Sequence, residues 1–201
     1  MSLRNRTALQ LPLFAPEFDA TLRRRLPLAS PPPESRPRLV PSPAAVQLDY
    51  FRHLPHAGAD WPPLRYLADI RGASLEVVMT AAWFTDPVLA RALIFARAPR
   101  KLLIIGDGND GRRSGPGLAL IQVVADPAIE VVRVEAVDAL MHCKRTVIDR
   151  RIAWYGSANA TRGARRNYEE LWRQEGGGDL FERYRELDEY LCRIGKRLST
   201  A

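Results

Sequence analysis

Four side chains with useful chemistry sit at short, regular spacings. His142 and Lys144 are two positions apart, and Ser157 and Asn159 are likewise two apart. Met141 to Ile148 and Ile152 to Tyr155 read as strands, joined by a tight turn at Asp149-Arg150-Arg151. Residues two apart on a strand share a face, so His142 and Lys144 emerge together while Cys143 and Arg145 point away. The returning strand carries Gly156-Ser157-Ala158-Asn159 back toward the same end of the sheet. A histidine, a lysine, a hydroxyl and an amide then converge. These groups suit a phosphodiester: Lys144 and Asn159 can hold non-bridging oxygens, and His142 can attack phosphorus or pass a proton. Asp149 lies seven residues from His142, an odd offset. It is expected on the opposite face, shaping the turn or pinning basic side chains rather than touching substrate.

The full pattern is His142-x-Lys144-x4-Asp149-x6-Gly156-Ser157-x-Asn159. It resembles the signature of the phospholipase D superfamily at every fixed position, with Thr161 also fitting. Arg145 and Thr146 depart mildly, where that family usually has apolar residues. A looser likeness to its small single-motif members, of the bacterial nuclease and mitochondrial Zucchini type, spans residues 64 to 198.

The resemblance implies a mechanism. Two motif copies form one site; one histidine becomes a covalent phosphohistidine, and the other serves as acid and then base. No metal or other cofactor is needed. Carried over, His142 plays both parts in two protomers, Lys144 and Asn159 bind phosphate oxygens, and Ser157 supports them. A downstream carboxylate usually orients the histidine. Asn167-Tyr168-Glu169 fits the family's Asn-x-Glu pattern, which favours Glu169, with Glu170 a close rival. This chain holds one motif copy, since neither His53 nor His56 has a lysine two residues on. The active form implied is a homodimer. His53 and His56 themselves read as structural.

Elements able to position these groups are legible nearby. Pro62-Pro63 opens a helix with Leu64, Leu67 and Ile70. Leu75 to Ala82, Lys101 to Ile105 and Ile129 to Val134 read as apolar strands. Asp86-Pro87 starts a helix to about Ala98, and Leu118 to Ala125 is another. Leu180, Tyr184, Leu187, Leu191, Ile194 and Leu198 form one apolar stripe at helical spacing. Strands alternating with helices predict an α/β fold, here an α-β-α sandwich with a central mixed sheet, over residues 60 to 198.

Residues 1 to 45 read as a separate extended arm, with nine of the sixteen prolines and seven arginines against three acids. The arm can dock on the domain through Leu11, Leu13, Phe14 and Phe18, or on a protein partner. Its apolar run from Leu11 to Ala15 is too short for a signal peptide, and no run reaches the roughly 18 apolar residues of a membrane span. A cytoplasmic protein is expected. Two cysteines make neither a disulfide framework nor a zinc site.

The net charge of +7 favours a polyanionic partner. Arg162, Arg165 and Arg166 follow Asn159 directly, and a Gly-rich loop at 106 to 117 offers Arg112 and Arg113. Arginines beside a phosphate site suit a nucleic acid better than a lipid headgroup. Trp83, Phe84, Tyr155 and Trp172 read as core residues that stack bases only if exposed. Nuclease is the leading reading. A lipid phosphodiesterase and a non-catalytic nucleic-acid-binding subunit stay open beside it.

Overall fold

The structure is a computed structural model, and it describes residues 46–54, 61–106, 117–135 and 141–199. The proline-rich arm to residue 45, His56, Arg112 and Arg113 lie outside the described residues. The described residues belong to one compact unit.

Eight strands form one mixed sheet: β1 (Gln47–His53), β2 (Glu76–Ala81), β3 (Arg100–Gly106), β4 (Ile129–Val134), β5 (Lys144–Ile148), β6 (Ile152–Gly156), β7 (Glu169–Glu175) and β8 (Lys196–Leu198). Their order is β1-β7-β6-β5-β2-β3-β4-β8. β2, β3 and β4 run parallel, joined by crossover helices, and every other pairing is antiparallel. Helices α1 (Leu64–Gly72), α2 (Pro87–Ile94) and α3 (Leu118–Val124) cover one face. Helix α4 (Gly178–Ile194) covers part of the other. Both faces of the central strands are therefore buried, which is why β2 and β3 read as continuous apolar runs. Val77, Met79 and Ala81 pack under the three helices, while Val78 faces the α4 layer.

Three differences from the sequence reading have physical causes. The sheet begins earlier than residue 60: β1 pairs with β7 along its whole length. Its inward residues, such as Phe51 and His53, alternate with exposed Leu48, Tyr50 and Arg52, a half-buried pattern without a long apolar run. The strand expected from Met141 starts only at Lys144. Its neighbour β2 ends at Ala81, the partner of Lys144, and one further bond, Ala82 N–H to Cys143 O at 3.0 Å, closes the ladder. His142 thus sits on extended chain just before the strand. The C-terminal helix stops at Ile194, and Leu198 pairs in β8. A Cβ at Gly195 would lie 2.4 Å from Val132, so glycine permits the close turn onto β4. Leu191 of the expected stripe is buried, but Leu187 and Ile194 are 38% and 51% exposed, and Phe181 and Asp188 complete the buried face.

Asp188 lies on that buried face because it ion-pairs with buried Arg145 of β5 and accepts from Thr80 Oγ1 at 3.1 Å. Arg145 also stacks 4.9 Å from the Tyr184 ring centroid. A helical apolar pattern has no place for a central acid, so apolar spacing finds Tyr184 and Leu191 on the core side and misses Asp188.

Asp149 occupies the β5–β6 turn, as expected. Both Asp149 and Arg150 have φ of 52°, and Arg151 N–H donates to Ile148 O at 3.0 Å. Two left-handed residues between antiparallel strands match the sheet's own twist. The carboxylate accepts from the backbone N–H groups of Ser74, Leu75 and Glu76 at 2.8–3.1 Å and from the Ser74 hydroxyl at 3.0 Å. The basic side chains nearby, Arg100 and Arg150, pair with Glu76 instead.

Burial alone would raise the Asp149 carboxyl; its hydrogen-bond donors outweigh that and hold it below its ordinary value. Asp149→Ala is expected to cost about 1–3 kcal/mol, because backbone donors lose their acceptor. The loss is fully present above roughly pH 4 and shrinks as pH falls through the depressed folded value. Urea midpoints of wild type and variant across that range check both statements.

Candidate active site

The groups singled out by spacing gather at one end of the sheet: the start of β5, the end of β6, the start of β7 and the carboxyl end of β2. Lys144 opens β5, and its Nζ lies 3.1 and 3.0 Å from the two ring nitrogens of His142 and donates to the His142 carbonyl at 3.1 Å. His142 is exposed and Lys144 half-buried. Burial holds the Lys144 ammonium below its ordinary value, and the negative charge of Glu169 works against that shift. An imidazole and a cation thus share one opening, with a carboxylate close enough to be felt.

The returning strand supplies the rest. Gly156 ends β6 where β7 passes so close that a Cβ would lie 2.0 Å from Glu170 O. Glycine is required there by contact with the neighbouring backbone. Ser157 follows, donating its N–H to Glu170 O on the next strand at 3.0 Å. Its hydroxyl accepts from Glu170 N–H at 3.0 Å and donates to Glu169 Oε2 at 2.5 Å. Asn167 Nδ2 donates to the other Glu169 oxygen at 3.1 Å. Asn159 and Lys144 line one small cavity.

The neighbouring glutamates separate cleanly. Glu169 is buried among Ser157, Asn167 and the field of Lys144, whereas Glu170 is exposed and accepts from the Tyr50 hydroxyl at 2.8 Å on the opposite face. Strand alternation does the sorting.

The arginines after Asn159 form a 3-10 turn, Arg162–Arg166. Ala160 O accepts from Thr85 and Asp86 N–H at 2.8 and 3.0 Å, which stitches the turn to the start of α2. Arg162, Arg165 and Arg166 are exposed, and with Pro87 and Val88 they line an open groove. Arg165 Nε lies 3.6 Å from the fully buried Asp86, whose other oxygen caps α2. His53 is buried and shares a 3.0 Å hydrogen bond with Arg165 O, consistent with a structural role. Of the four aromatics, Phe84 is buried and Trp172 rests on Tyr50. Half-buried Trp83 meets the His142 ring edge-on at 5.6 Å. Its position shortly before the α2 start gives no sign of that contact.

A family model described as "Cardiolipin synthase, PLD-like domain" matches residues 66–190, more than half of the chain. The chain therefore belongs to the PLD-like domain family of the phospholipase D superfamily, a group of phosphodiesterases. No curated protein sequence matches it significantly. Among solved structures it is similar to the phospholipase D family member Nuc from Salmonella typhimurium, at a TM-score of 0.63 and 21% identity, covering 78% of this chain and 99% of that one. It is also similar to NucT from Helicobacter pylori, at 0.61 and 17%, covering 75% and 98%. Phosphatidylserine synthase of Haemophilus influenzae matches at 0.58 and 14%, covering 78% of this chain and 41% of that one. Among the described residues, no helix is long and apolar enough to cross a membrane.

The two glutamates give a sharp test. Glu169→Ala removes the acceptor of Ser157 and Asn167 and is expected to cost about 1–3 kcal/mol of transition-state stabilisation. Glu170→Ala is expected to leave kcat/KM within about twofold of wild type. Hydrolysis of bis(p-nitrophenyl) phosphate by the two variants checks this.

Proposed function

We propose that this protein is a metal-independent nuclease whose site is completed by a second copy of the chain. The observation that carries the reading is the exposed His142 held against the Lys144 ammonium, with Ser157 and Asn159 delivered to the same end of the sheet. The phosphodiesterase family supplies the chemical frame, and the single motif copy supplies the need for a partner protomer. His142 Nε2 of one protomer attacks phosphorus and forms an N–P bond. The leaving oxygen departs with a proton from His142 of the other. That second histidine then takes a proton from water, whose oxygen attacks phosphorus and breaks the N–P bond. Lys144 and Asn159 hold the non-bridging oxygens as charge builds on them. Glu169 keeps Ser157 and its surroundings in place.

Nucleic acid is favoured over lipid by the arginine turn. Arg162, Arg165 and Arg166 continue outward from the phosphate-binding end, where a polymer has further phosphates and a lipid has none. Phosphate contacts position without specifying, so broad sequence tolerance is expected.

Purified protein is tested on single-stranded DNA, duplex DNA and RNA in excess EDTA. Cleavage is expected, and His142→Ala is expected to lower its rate by about 10²–10⁴-fold. Loss of all cleavage with EDTA would refute the metal-independent route, and a dimer cleaving no nucleic acid would refute the nuclease.

The arginine turn is tested separately by salt. Arg162→Ala/Arg165→Ala/Arg166→Ala is expected to flatten log K against log salt by about 0.7–0.9 for each phosphate no longer neutralised. Fluorescence anisotropy with a labelled oligonucleotide reads the slope.

A further inference from the structure

Under the site lies a cavity of about 20 Å³ whose walls include Trp61, Tyr66, Lys144, Thr146 and Asn159. Two polar atoms of these walls are buried without a protein partner: Trp61 Nε1, a donor, and Asn159 Oδ1, an acceptor. A third polar feature is the Tyr66–Thr146 pair, whose hydroxyls lie 2.6 Å apart. In such a pair one O–H is consumed, while the other hydrogen and several lone pairs remain free. Burial pushes the Tyr66 hydroxyl up to about 12, so both hydroxyls keep their hydrogens at neutral pH. Thr146 is also one of the two positions where the motif departs from its family's apolar habit.

A buried water needs roughly 10–15 Å³ of room and two to four polar partners. The cavity has that room, and residues of its wall carry the unpartnered polar atoms. Trp61 Nε1 and Asn159 Oδ1 are complementary to the two roles of a water and are not bonded to each other. We propose that the cavity is a binding site for a single buried water that accepts from Trp61 Nε1, donates to Asn159 Oδ1 and bonds the Tyr66–Thr146 hydroxyl pair. With Oδ1 so engaged, the Asn159 amide turns its Nδ2 hydrogens outward, toward the non-bridging oxygens of a bound phosphodiester. Trp61 and Thr146 are then positioning residues, acting on the reaction through the water and Asn159. The catalytic part of this inference rests on the phosphodiesterase reading; the hydration site itself does not.

Two measurements test it. In ¹⁵N-labelled wild type, the Trp61 indole N–H, assigned by its loss in Trp61→Phe, is expected to show a direct cross-peak to a long-lived water. Its absence overturns the site, whether or not the protein turns over any substrate. On bis(p-nitrophenyl) phosphate, Trp61→Phe and Thr146→Val are each expected to lower kcat about 3–10-fold with KM little changed. In an Asn159→Ala background each is expected to lower it no further. A kcat equal to wild type in both variants, or a loss that persists without Asn159, overturns the positioning role. Thermal melts of the two variants separate these outcomes from unfolding. If the wild type turns over no phosphodiester, the phosphodiesterase reading and the positioning role fall together, and the water signal alone decides the site.

Discussion

One carboxylate holds the hairpin on which the site is built. The motif's two halves lie on β5 and β6, and their relative placement depends on the turn between them. That turn puts two non-glycine residues, Asp149 and Arg150, in left-handed backbone. The conformation is tolerable for Asp149 because its side chain is fully engaged by the N–H groups leading into β2. The same contacts tie the hairpin to the central parallel strands, at the end of the sheet away from the chemistry. Register set there is transmitted along five paired residues of β2 and β5 to Lys144.

A second set of polar contacts fixes the layers. Arg145 and Asp188 are both buried, and their union joins β5 to α4 across the smaller core. Such a pair need not add net stability, but removing one partner strands a charge. On the sheet's far side, Arg173 of β7 is almost wholly buried and bonds Asp69 of α1 at 2.7 Å, while Trp154 donates to the same carboxylate at 2.9 Å. Charged side chains thus clamp a helix on each face to strands that bear or flank the motif.

Much of this was legible in the residues. The buried strands, the Asp86-Pro87 helix start and the motif's shared end of the sheet followed from alternation, capping chemistry and even spacing. The features that local pattern does not show depend on partners distant in sequence. The Asn-x-Glu pattern favours Glu169 over Glu170, but which of the two faces Ser157 depends on how β7 pairs with β1 and β6. Asp188 breaks an apolar stripe and makes sense only once Arg145 is seen opposite it. β1 carries too few apolar residues to announce itself, and the wall of the site formed by Trp83 depends on where β2 ends. Trp61 and Tyr66 lie outside the motif altogether, and only folding brings them beneath Asn159.

The arginine turn is held differently from everything around it. Its attachment to α2 runs chiefly through backbone atoms, Ala160 O receiving two N–H groups and Arg162 N–H reaching Thr85 Oγ1 at 3.4 Å. Among the described residues, the arginine side chains add the Arg165 to Asp86 contact. Arg162 and Arg166 can therefore change with little penalty in folding, whereas Arg165 faces a buried carboxylate and the motif residues a few positions upstream are held by packing. Two constraints of different strength, tight at the motif and loose at the two outer arginines, thus operate within one short stretch of chain.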